Sequence, residues 1–273
     1  MNNKPLLITS PDNERIKEVV HLRDRNSRDK LELFLIEGYR ELLRALDGKA
    51  PLMRLFICPE LFLGENEPEL IQRAIATGCQ IIETSVKVFH KMSYRDRPDG
   101  LIGVAKQERK GLSTLDALVA KNKAPLFVIA EAIEKPGNLG TILRSSDAAG
   151  VTALIVANRC TDIFNPNVVR ASCGTLFTVP VVEATTQEVI AWLKKHNIQI
   201  LAAMPQATAL YTQVDMTRAV AVALGTEQLG LSDALKNEAD IQVRIPMLGA
   251  ADSLNVAMAT TLILYEAVRQ RSG

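Results

Sequence analysis

Six short apolar runs punctuate the second half of the chain: "LFVIAE" from Leu126, "TALIVAN" from Thr152, "LFTVPVVE" from Leu176, "IQILAAMP" from Ile198, "AVAVALG" from Ala219 and "IQVRIP" from Ile241. Most are continuous and not alternating, so as strands they need cover on both faces. The segments between them supply it. "GNLGTILRSSDAAG", "NPNVVRASCG", "TQEVIAWLKKHN" and "LSDALKNEA" read as helices, and a long apolar helix follows the last strand. The pattern predicts an α/β fold around a parallel sheet covered on both sides. Ligands of such sheets bind outside the carboxyl ends of the strands. The loops to inspect are therefore 131–138, 203–206, 225–230 and 246–253, which are also rich in glycine and polar residues.

The first half alternates too. "TSPDNERIKEVVHLRD" reads as a helix with Ser10 as its N-cap and Pro11 in the first helical position. The strands "LFLIEG", "MRLFICP", "CQIIET" and "GLIGVAKQ" are separated by the helices "YRELLRALDG", "PELIQRAIATG" and "SVKVFHKMS". "ERKGLSTLDALVAKNKAP" has the glycine and charges of a boundary, with a short helix inside it. Three segments result: a small α/β domain at 1–108, a linker at 109–124 and the parallel-sheet domain at 125–273.

Composition narrows the function classes. No run approaches the ~20 apolar residues of a membrane span, and "MNNKPLLITSPDNE" lacks the apolar core and cleavage site of a secretory signal. The cysteines, Cys58, Cys79, Cys160 and Cys173, form no C-x-x-C pair, and the three histidines are not at ligand spacing, so no metal site is expected. Scattered cysteines fit a reducing, cytoplasmic setting. A net charge of +1 names no partner. Local charge says more: residues 15–30, with Arg23, Arg25 and Arg28, and residues 87–110, with Arg95 and Arg97, each carry a basic excess. Both read either as solvated surface or as phosphate-contacting patches.

Familiar nucleotide and hydrolase motifs fail. "GTEQLGLS" has the glycine spacing of a P-loop, but Leu231 stands where the phosphate-binding lysine belongs. No G-x-G-x-x-G follows a strand and no G-x-S-x-G elbow occurs, which argues against a dehydrogenase and a hydrolase.

Three loop segments remain: "EKPGNLGTILRSSDAAG" (134–150), "ALGTEQLGLS" (223–232) and "RIPMLGAADSLNVAMATTLILYEAVRQR" (244–271). In this order, each after a strand, they resemble the three motifs of the SpoU (TrmH-like) branch of the SPOUT superfamily, the RNA ribose 2'-O-methyltransferases. In the first half, "LFLIEGYRELLRAL" and "RPDGLIGVAK" resemble the ribosomal-protein-L30e-like RNA-binding domain that precedes the catalytic domain in several members. The resemblance implies a deep trefoil knot at the C-terminus, which composition would never suggest because knots are nearly absent from proteins. It also implies bound S-adenosylmethionine and a homodimer formed through the C-terminal domain.

Carried over residue by residue, the resemblance puts the cofactor against Gly225, Ile245, Met247 and Leu254, with Ala203 and Met204 lining the adenine pocket. By itself Gly225 reads as a strand-to-turn glycine, and Ile245 and Leu254 read as core. Arg144, Asn138, Glu227, Ser253 and Asn255 become active-site residues. Local sequence alone makes Asn138 an N-cap, Ser253 a cap of the terminal helix, Asn255 a first-turn residue, and Glu227 either a surface acid or a tie to the first-motif loop. In-line methyl transfer needs the hydroxyl oxygen stabilised as it loses its proton. Arginine, with a pKa above ~12, is no free base, so Arg144 is expected to clamp the 2'-oxygen and the adjacent phosphate. One position departs: the first motif usually reads Asp-Pro-x-Asn, and Lys135 occupies the Asp place.

The expected activity is S-adenosylmethionine-dependent 2'-O-methylation of RNA, with ribosomal RNA favoured by the N-terminal extension. The alternatives are a transfer-RNA 2'-O-methyltransferase and a non-catalytic RNA-binding protein with a vestigial fold.

Overall fold

The computed structural model describes residues 6–272. The first residues of the stretch read for a secretory signal lie outside them. In chain order the first elements are β1 (Leu6–Ile8), α1 (Glu14–His21), α2 (Arg25–Leu31), β2 (Leu33–Glu37), α3 (Tyr39–Asp47), β3 (Leu52–Ile57), α4 (Glu67–Ala76), β4 (Gln80–Thr84), α5 (Val86–Met92) and β5 (Leu101–Lys106). There follow α6 (Asp116–Lys121), β6 (Leu126–Glu131), α7 (Pro136–Ala148), β7 (Ala153–Ala157), α8 (Pro166–Ala171), β8 (Val181–Ala184), α9 (Thr186–Lys195), β9 (Gln199–Ala203) and β10 (Ala209–Leu210). The last are β11 (Val220–Leu224), α10 (Asp233–Glu238), β12 (Ile241–Arg244) and α11 (Val256–Arg271).

The chain divides into two compact units. The first comprises Met1–Glu108 together with Asp162–Thr178, and the second comprises Arg109–Thr161 with Val179–Gly273. A segment that the sequence assigns to the second half is thus part of the first unit. Its reason is packing: the Phe34 ring lies 4.6 Å from Phe164 and 6.1 Å from Phe177. Arg28 Nε and Nη2 each reach Asp162 Oδ2 at 2.9 Å, with both side chains almost wholly buried. The expected strand "LFTVPVVE" is split accordingly. Its first residues form a 3-10 turn, Thr175–Phe177, in the first unit, and only Val181–Ala184 joins the sheet of the second.

The first unit holds a five-stranded sheet ordered β1-β4-β3-β5-β2, in which β5 runs antiparallel to its neighbours β3 and β2. Strand β1 and helix α2 have no counterpart in the sequence reading. Ser10 does not cap α1. Asn13 does, its side chain accepting from Arg15 N at 3.0 Å, while Ser10 Oγ accepts from Asp12 N.

The second unit holds a seven-stranded sheet, β10-β12-β9-β11-β6-β7-β8, in which every pairing is parallel. Every residue of β6, β7 and β11 is buried. That is the physical cause of their unbroken apolar sequences. One core layer sets Phe127, Ile155 and Ile200 against Val189, Trp192 and Leu193 of α9 and Leu235 of α10. Helices α7 and α11 pack together, α7 touching β7 and α11 touching β11. Among the described residues no helix is long and apolar enough to cross a membrane.

Candidate active site

Strands β12, β9, β11 and β6 are consecutive neighbours and all parallel, so their carboxyl ends lie side by side. The loop after β6 ends at Lys135, and the first turn of α7 holds Asn138. The exit of β9 holds Ala203 and Met204, that of β11 holds Gly225 and Glu227, and that of β12 begins with Ile245. Met204 N donates to Val243 O at 2.8 Å and ties two of these exits together. Three sequence motifs that lie far apart along the chain therefore meet on one edge of one sheet.

Their polar side chains form one network. Asn138 Nδ2 donates to Glu227 Oε1 at 2.6 Å, and Asn255 Nδ2 donates to the same oxygen at 2.9 Å and to Asn138 Oδ1 at 3.1 Å. Lys135 Nζ pairs with the other carboxylate oxygen, Oε2. The Lys135 ammonium, then the amides of Asn138 and Asn255, hold the Glu227 carboxyl below its ordinary pKa despite some desolvation. Of the two readings open for Glu227, the geometry matches the tie to the first-motif loop.

The caps differ from expectation. Pro136 opens α7, and a residue before proline is pushed towards extended backbone; Lys135 is thus the N-cap, with φ −87° and ψ 120°, and Asn138 lies inside the helix. Relieved of capping, the Asn138 amide is available to Glu227. Asn255, not Ser253, caps α11, its Oδ1 accepting from Ala257 N at 3.0 Å. Ser253 is exposed and makes no hydrogen bond among the described residues.

Residues 247–254 make no backbone or side-chain hydrogen bond among the described residues. Eight consecutive residues at the mouth of the site keep their N–H and C=O groups unspent, and groups of this kind hold a ligand by its polar edges. Ala203, Met204, Ile245 and Met247 are half-buried, and Leu254 is exposed. Gly225 is buried, and a Cβ there would lie 2.1 Å from Gly230 O. The glycine is required by the chain's own turn, in which Thr226 and Gly230 exchange backbone hydrogen bonds of 3.0 Å. The Arg144 side chain stands exposed on α7 with no hydrogen bond or ion pair to any described residue. The next residue, Ser145, bonds Thr261 Oγ1 at 2.7 Å, clasping α7 to α11.

Sequence reasoning gave Glu131 no role. It is buried at the end of β6, where Oε1 accepts from Thr186 Oγ1 at 2.6 Å and from Ser232 Oγ at 2.7 Å, and Oε2 accepts from Ser232 N at 2.7 Å. It anchors the helix α10 that follows the second motif. The signal was a lone acid closing an otherwise apolar strand.

The basic patches are largely redirected. Arg28, expected to face RNA, is 1% exposed and spent on Asp162 and on the carbonyls of Leu22 and Arg23. Arg95 is held by Glu37 O, Glu41 and Asp99, and Arg23 by Lys91 O and Ser93 O. Arg25 and Arg97 are exposed, with Arg25 beside Asp29. Net charge along a sequence does not reveal which guanidinium turns inward to satisfy helix-end carbonyls.

Both halves of the chain resemble known proteins. Residues 125–265 match the SpoU rRNA Methylase family, and residues 13–103 match the MRM3-like substrate binding domain. A 23S rRNA (uridine(2479)-2'-O)-methyltransferase of Streptomyces viridochromogenes is 32% identical over 92% of this chain and 87% of its own. The 23S rRNA (guanosine(2553)-2'-O)-methyltransferase RlmP of Bacillus subtilis is 27% identical over 94% and 97%. The AdoMet-bound rRNA methyltransferase structure from Sinorhizobium meliloti superposes with a TM-score of 0.87 at 31% identity, covering 96% of this chain and 97% of that one. With its three motifs gathered on one sheet edge and more than half its length matched, the chain belongs to the SpoU rRNA methylase family.

Proposed function

We propose that the protein transfers a methyl group from S-adenosylmethionine to a ribose 2'-oxygen of ribosomal RNA. The observation that carries this reading is the convergence of the loops after β6, β11 and β12, with residues 247–254 unbonded beside them. The donor set suits this cofactor: unspent backbone groups for its polar edges and partly exposed apolar side chains for its adenine and methylene carbons. Ile245, Met247 and Leu254 hold it, with Ala203 and Met204 on the adenine side and Gly225 keeping the turn narrow. When bound, S-adenosylmethionine supplies an electrophilic methyl group on a sulfonium.

The chain's own residues do the rest. Arg144, permanently charged and uncommitted, stabilises the 2'-oxygen as its proton leaves for phosphate or water, and it orients the adjacent phosphate. Asn138, Glu227 and Asn255 fix the loops against one another, and Ser253 stands on the substrate side. The first unit binds the RNA substrate, in keeping with the domain it matches, with Arg25 and Arg97 as its exposed cations. The same reading makes the path from β11 to α11 a trefoil knot; β12 inserting beside β9 and α11 returning onto α7 support it. It also makes the protein a homodimer. Met258, Leu262 and Tyr265 are exposed at i, i+4 and i+7 of α11, one apolar stripe that a second copy would cover. Scattered cysteines, with no disulfide among the described residues, favour a cytoplasmic setting.

The test is methyl transfer from labelled S-adenosylmethionine to ribosomal and transfer RNA, with ribose-methylation mapping and calorimetric titration of the cofactor. Label at a ribose 2'-oxygen of ribosomal RNA is expected. Label confined to transfer RNA removes the substrate assignment, and folded protein that neither binds cofactor nor transfers methyl removes the enzyme. Arg144→Ala is expected to lower kcat about 100- to 1000-fold with cofactor affinity nearly intact.

A further inference from the structure

Lys135, the N-cap of α7, is where the network acquires its counter-charge. The Glu227 carboxylate is the hub. Oε1 takes the amides of Asn138 and Asn255, and Oε2 takes Lys135 Nζ. The partners come from two other loops: Lys135 and Asn138 from the loop and first turn after β6, Asn255 from the cap of α11. Asn138 and Asn255 are neutral. Lys135 is the charged group paired with Glu227, and it lowers that carboxyl's pKa. A carboxylate keeps all its acceptor positions only while ionised. Protonation would turn one oxygen into a donor facing other donors, the two amides at Oε1 or the ammonium at Oε2. The lysine side chain is 68% exposed, and an exposed ion pair adds little to global stability. Its effect therefore falls on local geometry.

We infer that Lys135 is a positioning residue: by pairing with Glu227 it fixes the carboxylate that joins α7 to the cap of α11, and so sets the arrangement of the cofactor loop 247–254. Lys135 acts through Glu227, not on cofactor or RNA directly. The inference rests on the proposed function only in naming that loop's ligand.

The experiment uses the full chain as wild type, Lys135→Met, Lys135→Arg, Glu227→Gln and the Lys135→Met/Glu227→Gln double variant. S-adenosylmethionine affinity is measured by calorimetry between pH 5 and 8. Amide exchange of Ala257 and Ala259, the first-turn N–H groups bonded to the Asn255 side chain and carbonyl, is followed without ligand. Lys135→Met is expected to weaken binding about tenfold, the scale of coupling between contacting residues. It is also expected to speed exchange at both amides and to move the acid limb of binding to higher pH, because the carboxyl loses the charge that depresses its pKa. Lys135→Arg restores all three, and the double variant matches Glu227→Gln. Wild-type affinity, pH profile and exchange in Lys135→Met overturn the inference. So does a double variant weaker than Glu227→Gln by the full factor, which would mean that Lys135 acts alone. If the wild type binds no cofactor but exchange still follows the predicted pattern, the proposed function fails and the positioning role stands. If exchange does not follow it, the positioning role fails too.

Discussion

Replacing Arg28 by methionine removes the cation from an almost wholly buried ion pair of the first unit. Arg28 and Asp162 are 1% and 3% exposed. Nε and Nη2 both reach Asp162 Oδ2 at 2.9 Å, and Nη1 donates to Leu22 O at 3.0 Å and Arg23 O at 2.7 Å, closing the end of α1. Methionine fills much of the volume and satisfies none of these acceptors. Phe164 N still donates to Asp162 Oδ1 at 3.1 Å, but no countercharge from Arg28 remains. Breaking such a pair costs about 3–5 kcal/mol, most of it the uncompensated buried charge. With a urea m-value of about 2 kcal/mol/M the midpoint should fall by about 2 M. Far-UV circular dichroism follows both units, whereas the single tryptophan, Trp192, reports the second. The loss should therefore appear in dichroism, with accelerated amide exchange across 162–178. Adding Asp162→Asn, which removes the carboxylate charge that Arg28 neutralised, should recover part of the stability. A cost under about 1 kcal/mol, or a double variant no better than Arg28→Met, would refute the claim that this pair fastens Asp162–Thr178 to the first unit.

Two further substitutions test the second unit. Gly225→Ala places a Cβ 2.1 Å from a backbone oxygen that has no rotamer to yield, so the 226–230 turn must move. Stability should fall by about 1–3 kcal/mol and cofactor binding should be lost in calorimetry; Gly230→Ala, which meets nothing within 4 Å but carries a φ of +69°, should cost about 1–2 kcal/mol. Glu266 on α11 accepts from Arg269 and Gln270, and these bonds hold its carboxyl down to about 2. A depressed carboxyl stabilises the fold above its unfolded pKa, and that contribution fades as pH falls from about 4.5 towards 2. Arg269 is largely exposed, so the contribution is about 1 kcal/mol. Glu266→Gln should lower Tm by about 2–4 °C at neutral pH, with wild type and variant converging near pH 2.

The sequence by itself determined the layer architecture of the second unit. Leu126–Glu131, Ala153–Ala157 and Val220–Leu224 are unbroken apolar runs because both faces of each strand are covered, and that demand is written locally. It also marked the loops that converge at the candidate site, since polar and glycine-rich stretches after buried strands have few structural reasons to exist. The order β12-β9-β11-β6 was not legible, because hydrophobic patterning is indifferent to which parallel strand lies beside which. Only that order brings Asn138, Glu227 and Asn255 within hydrogen-bonding distance, and only then does Lys135 become a partner of Glu227. Caps went astray for the same reason. Asn138 and Ser253 have the right chemistry for an N-cap, but the backbone before Pro136 and the position of Asn255 took those places. The two units show the limit most plainly. Asp162–Thr178 reads as helix and strand of the second half, yet it joins the first unit through Arg28 and Phe34, partners more than a hundred residues away. Local sequence fixes which side chains must be buried, and tertiary structure decides against what.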